Sequence, residues 1–192
     1  MKTFFKYLTI LVLPLFIASC SDDDDGTPEV INEEEVITTM TITLAQQTGG
    51  TPITLTSRDA DGEGPNPPVE TIMGGPLMAN TTYSGTVVFL NETETPPENV
   101  TEEVEEEDEE HQIFYQVNSG LDATISYDDM DDNGNPVGLE FTLTTGAAST
   151  GNLTVVLIHE PEKDATGVAN GDRTNAGGEE DFTATFLDVT IQ

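Results

Sequence analysis

The chain has 192 residues and carries 37 acidic against 5 basic side chains, a formal net charge of −32. Such a balance repels phosphate backbones and anionic headgroups, which excludes nucleic-acid reading, and it attracts divalent cations and basic surfaces. The single cysteine, Cys20, excludes an intramolecular disulfide and a thiolate metal cluster.

Residues 1–19 read as a processing segment: Lys2 and Lys6 precede an almost unbroken apolar run from Phe4 to Ile17, too short to span a bilayer. The run ends in Ile17-Ala18-Ser19-Cys20, which resembles the lipobox of bacterial lipoproteins. That resemblance implies a lipid on Cys20; at ~0.8 kcal/mol per buried CH₂, two or three acyl chains hold a domain on a membrane. Next comes Ser21-Asp22-Asp23-Asp24-Asp25, which resembles the signal that sends such lipoproteins to the outer face of the outer membrane. With both signal lysines removed, only Arg58, Lys163 and Arg173 face the carboxylates. Residues 20–35 lack apolar periodicity and read as an acidic, lipidated tether.

From Val36 to the last residue the dominant period is two, the signature of half-buried strands. Val36, Met40, Ile42 and Leu44 fall on one face, and further short runs follow at 52–57, 69–74 and 82–91. Four more lie at 112–118, 121–127, 138–144 and 152–159, and the last covers 182–191. About nine Thr- and Val-rich strands separated by Gly, Pro, Asn and Asp predict an all-β domain over 36–192. Leu77 to Tyr83 has the spacing of a tyrosine corner, which narrows the expectation to an immunoglobulin-like Greek-key β-sandwich. Pro96 to Glu110 breaks the pattern. Asn99 and Glu102 resemble a capping box, but Glu102/Glu106, Glu103/Glu107 and Glu105/Glu109 are like-charge pairs at four-residue spacing. Each costs roughly 0.2–0.5 kcal/mol, so one short acidic helix or coil insertion is expected here, frayed or coil without counter-ions.

Asp129-Met-Asp131-Asp-Asn133-Gly134 followed by Glu140 fits the acidic calcium-loop spacing: oxygens at one, three and five, glycine at six, a carboxylate at twelve. Strands flank it, so it is not an EF-hand, and Asn133-Gly134 also suits a tight acidic turn. A weaker relative is Asp59-Ala-Asp61-Gly-Glu63-Gly, with Glu70 at the twelfth place. If the first loop gathers its carboxylates, calcium should stabilise it and Asp129→Asn/Asp131→Asn should relieve repulsion in chelator. His111 and His159 are the other candidates, because imidazole with carboxylates suits zinc or another transition metal. By parity His111 extends the Ile113–Tyr115 face and His159 the Leu153–Leu157 face, so each also reads as a strand-end side chain. There is no HExxH, nucleophile elbow or Gly-rich phosphate loop, and no enzyme activity is expected.

Several stretches together resemble a family of small bacteroidete-type lipoproteins labelled "type 1 periplasmic binding fold superfamily protein". They are Asn32-Glu-Glu-Glu-Val36, Asp59-Ala-Asp61-Gly-Glu-Gly-Pro-Asn66, Glu109-Glu-His111-Gln-Ile-Phe-Tyr, Thr142-Leu-Thr-Thr-Gly and Leu157-Ile-His159-Glu-Pro161. The resemblance implies a partnership with TonB-dependent receptors, beside which such proteins are often encoded. A periplasmic-binding fold would need two α/β lobes with crossover helices, which this strand pattern does not offer. The expectation is a surface-anchored cation-binding lipoprotein assisting metal or metal-complex uptake. Its alternatives are a calcium-stiffened structural or adhesion module and a glycan-binding surface lipoprotein.

Overall fold

A computed structural model describes residues 35–192 apart from Glu63 and Ser119. The signal segment, Cys20, the Ser21–Asp25 run and the tether up to residue 34 lie outside the described residues. Nine strands and one α-helix follow in order: β1 (Thr39–Gln46), β2 (Ile53–Arg58), β3 (Val69–Met73), β4 (Thr82–Leu90), α1 (Val100–Glu106), β5 (His111–Val117), β6 (Ala123–Tyr127), β7 (Glu140–Thr145), β8 (Ser149–His159) and β9 (Glu179–Ile191).

The strands form two antiparallel sheets, ordered β3-β2-β1-β4-β7-β6 and β5-β8-β9. In the larger sheet β4 returns beside β1 after three consecutive strands, which is Greek-key order. The predicted β-sandwich is therefore the fold. Period-two patterning closes it: Met40, Ile42, Leu44, Tyr83, Val87, Phe89, Phe141 and Leu143 of the larger sheet meet Ile113, Tyr115, Leu153, Val155, Leu157 and Phe186 of the smaller one. Val36 departs from its expected face and is exposed, because β1 begins only at Thr39.

The smaller sheet is buried on its outer side as well. The segment after β8 folds back so that Val168 and Ala176 cover Phe114, Val156 and Ile158, and Gln112 Nε2 donates to the carbonyl of Val168 at 2.9 Å. That is why β8 carries the unbroken apolar run Val155-Val156-Leu157-Ile158 rather than a strict alternation.

The acidic insertion is a two-turn helix rather than coil. Val100 and Val104, four residues apart, are buried against the core, and the Thr101 hydroxyl accepts the amide of Phe89 at 2.8 Å. Packing of that stripe outweighs the like-charge pairs. Asn99 occupies the N-cap, but its side chain caps no backbone amide; its Nδ2 donates to Glu102 Oε1 at 2.9 Å.

The tyrosine corner is present. Tyr83 is fully buried, and its hydroxyl accepts the upstream amide of Met78 at 2.7 Å and is 3.3 Å from Gln46 Nε2. Asn80, between them, adopts a left-handed conformation with φ 51°. Tyr83→Phe strands the Met78 amide, so a stability loss of about 1–3 kcal/mol is expected from urea denaturation. A loss under ~0.5 kcal/mol would show that the corner does not hold this connection.

Candidate metal centre

In the β5–β8 ladder His111 stands directly opposite His159. Both side chains point to the inner face, as their parity requires, at the end of the smaller sheet. The rings meet edge to face with centroids 4.6 Å apart, and His159 Nδ1 lies 3.0 Å from His111 Nε2.

Two carboxylates that the sequence did not single out complete the cluster. Glu35, expected at the end of the tether, is instead part of the domain: its side chain is 2% exposed. Its Oε1 is 3.0 Å from His111 Nε2 and its Oε2 3.5 Å from His159 Nδ1. Asp181 Oδ2 is 3.9 Å from both of those ring nitrogens. Asp181 reaches inward because of a bulge. Leu157 pairs with Phe182 but Ile158 with Glu180, so Asp181 is the extra residue, and bulges re-aim side chains in this way. Gly178, at φ +70°, lets β9 approach the end of β8: a Cβ there would collide with the carbonyl oxygen of His159.

One donor atom from each of Glu35, His111, His159 and Asp181 lies within 4.8 Å of the others. A zinc-class ion ~2.1 Å from each donor places donors roughly 3–4 Å apart, and His111 Nε2, His159 Nδ1 and Asp181 Oδ2 lie 3.0 to 3.9 Å from one another. The tautomer is also suited to a metal. His111 Nδ1 is 3.1 Å from the carbonyl oxygen of Glu107, an acceptor only, so Nδ1 carries hydrogen. In the neutral ring Nε2 then offers a lone pair toward Glu35 and His159. Three states satisfy this geometry: a second proton on His111, an Nδ1 hydrogen of His159 donated to that lone pair, or a metal ion held by Nε2. The Glu107 carbonyl is the outer support that metal-bound histidines commonly have.

The electrostatics of the proton-bound state follow from burial. Desolvation opposes ionisation of Glu35, yet its hydrogen bond and attraction to His111 hold its carboxyl down at about 2. Desolvation likewise disfavours the His111 imidazolium, and Glu35 overrides it and raises the ring above its ordinary value. Glu103 of α1 and Glu107 at its C-cap bring carboxylates within 4.8 Å of that of Glu35. Burial first, then the charges of Glu35, Glu107 and Glu98, push the Glu103 carboxyl up. A third group, Glu110, His159 and Glu160, shares His159 with the cluster.

The calcium-spaced loops are arranged differently. Asp129 Oδ1 and Oδ2 accept the amides of Gly138 and Glu140, and Asp131 Oδ1 accepts those of Asn133 and Asn135. Asp131 Oδ2 binds Lys163 Nζ at 3.0 Å, and both side chains are buried. Burial alone would raise the Asp131 carboxyl, but the Asn135 amide and the Lys163 ammonium hold it below the usual range. Lys163 thus stands as the cation of this loop, while Glu140 remains exposed at the start of β7. In the other loop Asp59 Oδ1 accepts the Asp61 amide, Asp61 Oδ2 accepts the Asn66 side chain at 2.6 Å, and Glu70 meets Ser57. Glu63 lies outside the described residues. Comparison with protein-family models, curated proteins and solved structures finds no match to this chain.

These geometries reverse one expectation and generate another. Asp131→Asn leaves buried Lys163 without its counter-charge, so it should lower stability in chelator by about 3 kcal/mol rather than raise it. Urea denaturation checks the sign; a stabilised variant would restore the picture of mutually repelling carboxylates.

The metal-free centre should also give a defined pH dependence. The lowered Glu35 pKa contributes stability that is present above 4.5 and lost as pH falls toward about 2. The raised His111 pKa contributes stability that is complete below 6.5 and lost as pH rises through the folded value. In chelator, the melting-temperature gap between wild type and His111→Gln should therefore narrow from about pH 6 to about pH 9. A gap that stays constant would mean that the pair is not charged.

Proposed function

We propose that this chain is a surface lipoprotein that captures a transition-metal ion of the zinc class and passes it to an outer-membrane transporter. The observation that carries the reading is the buried quartet of Glu35, His111, His159 and Asp181, with His159 Nδ1 and His111 Nε2 3.0 Å apart. Two imidazoles and two carboxylates form a borderline donor set that suits zinc, ferrous iron, copper or nickel better than calcium, which takes six to eight oxygens. The anchoring part rests on the Ile17–Cys20 pattern, and the transporter partnership on the resemblance carried by the stretches around His111 and His159. The acidic surface supports capture from dilute solution, because clustered negative charge raises the local concentration of cations.

The chemistry of the ligands sets the direction of exchange. A metal on His111 Nε2 displaces a proton, so affinity falls as the medium becomes acidic. Calorimetry with zinc should give one tight site per chain. His159→Ala and Asp181→Asn should weaken it by more than the ~10–100-fold typical of losing a mere supporting partner. Asp129→Asn should leave the affinity unchanged. A wild-type protein that binds no zinc, cobalt or nickel, while circular dichroism shows it folded, would remove this function.

A further inference from the structure

A cavity of about 360 Å³ lies against the cluster, walled in part by Glu35, Ile37, Thr38, Asp59 and Asp181. Glu35 and Asp181 belong both to this wall and to the donor quartet, whereas His111 and His159 are not part of the wall. An ion in the quartet would thus have the imidazoles behind it and the two carboxylates toward the cavity. Four protein donors complete a tetrahedral zinc shell but leave one or two positions on an ion that takes five or six ligands, such as ferrous iron, nickel or copper, and the side facing the cavity is where a further ligand would approach.

We infer that the cavity admits one small exogenous ligand to the bound ion, and that this ligand is a neutral nitrogen donor, such as an imidazole or an unprotonated amine. The inference rests on the metal reading above and specifies what accompanies the metal. The volume is at the lower end of the ~300–1,000 Å³ typical of small-molecule sites, which fits a single ring or a short amine. Charge selects the class. Three acidic residues, Glu35, Asp59 and Asp181, line the wall, with no lysine or arginine among its described residues. Glu103 and Glu107 add to the field by converging on Glu35. The Thr38 hydroxyl donates to the carbonyl of Leu90 and accepts the amide of Glu92, so it is committed and does not compensate an incoming anion. Carboxylate- or catecholate-type chelators would bring negative charge into this field. A nitrogen donor binds the ion through a lone pair without adding charge, and Ile37 offers an apolar surface for its ring or chain.

The test uses the purified chain loaded with cobalt(II), whose visible bands report its ligands. Imidazole should change the spectrum saturably, one per cobalt, with cobalt still bound after desalting. Acetate at the same concentrations should leave the bands unchanged. Asp59→Lys keeps the quartet intact and reverses the charge at one wall, so it should shift preference toward acetate by about three- to tenfold. Bands unmoved by imidazole, acetate binding as tightly as imidazole, loss of cobalt on adding imidazole, or an unchanged preference in Asp59→Lys would each overturn the inference while leaving the metal site standing. Failure of the wild type to bind cobalt would overturn the metal reading, and this inference with it.

Discussion

The register of β5 on β8 is the constraint from which the site follows. Strand β8 is buried on both faces toward its end, held by the sandwich core on one side and by the returning segment around Val168 and Ala176 on the other. A slip of one residue would exchange the two faces, carrying Ile113 and Tyr115 out of the core and Gln112 into it. Two different apolar surfaces therefore fix one register, and that register sets His111 opposite His159. The imidazoles are placed by hydrophobic burial remote from any ion, so the nitrogen half of the cluster exists before a metal arrives. Preorganisation of this kind reduces the ordering that binding must impose.

The distribution of positive charge explains why the cluster has chemistry to offer. Arg58 pairs with Glu92, Arg173 with Glu180, and Lys163 with Asp131. Each basic residue of the described domain is thus engaged away from Glu35. Positive charge to offset Glu35 and its acidic neighbours is available there from an imidazolium or from a bound ion. Lys163 is the instructive contrast. It fills a loop whose spacing suits calcium and converts it into a buried ion pair supported by four backbone amides on Asp129 and Asp131. The same residue types, with a lysine within reach, make a fastened turn. With histidines in place of the lysine, they make a cluster in which, on the proposed reading, a metal would replace a proton.

Much of the fold was legible because it follows from local pattern. Alternation located the strands to within a few residues, and the Leu77–Tyr83 spacing anticipated the bond from the Met78 amide to the Tyr83 hydroxyl. Parity also placed both histidines on inward faces. What parity could not supply was their meeting, since that depends on β5 pairing with β8 across more than forty residues of chain. The two carboxylates were hidden for different reasons. Glu35 ends an acidic run that composition alone assigns to the tether, and only its position ahead of β1 buries it. Asp181 lies next to the inward Phe182, so regular alternation would send it outward; the bulge brings it in. A charged residue just before an inward aromatic at the start of a long strand was the available signal, but it gains meaning only once the partner strand is known. The choice between helix and coil stayed open in the sequence because the helix's charges are local and visible, whereas the burial of Val100 and Val104 that outweighs them is tertiary.

The origin of the four donors bears on whether an ion here would be structural or exchangeable. His111, His159 and Asp181 all belong to the smaller sheet, and Glu35 alone comes from the lead-in to β1 in the larger one. An ion would therefore bridge the two sheets at one end of the sandwich. A structural ion earns its place where the core is too small to close without it. This core is not: aromatic and aliphatic side chains fill the space between the sheets along their length, and the cluster lies at its edge. Three ligands are fixed by a ladder that forms for hydrophobic reasons. The fourth stands ahead of the strands, beside an open cavity and among other carboxylates. An ion there would be held by a scaffold that does not need it and would be reached from outside, which is the arrangement expected for cargo rather than for a staple.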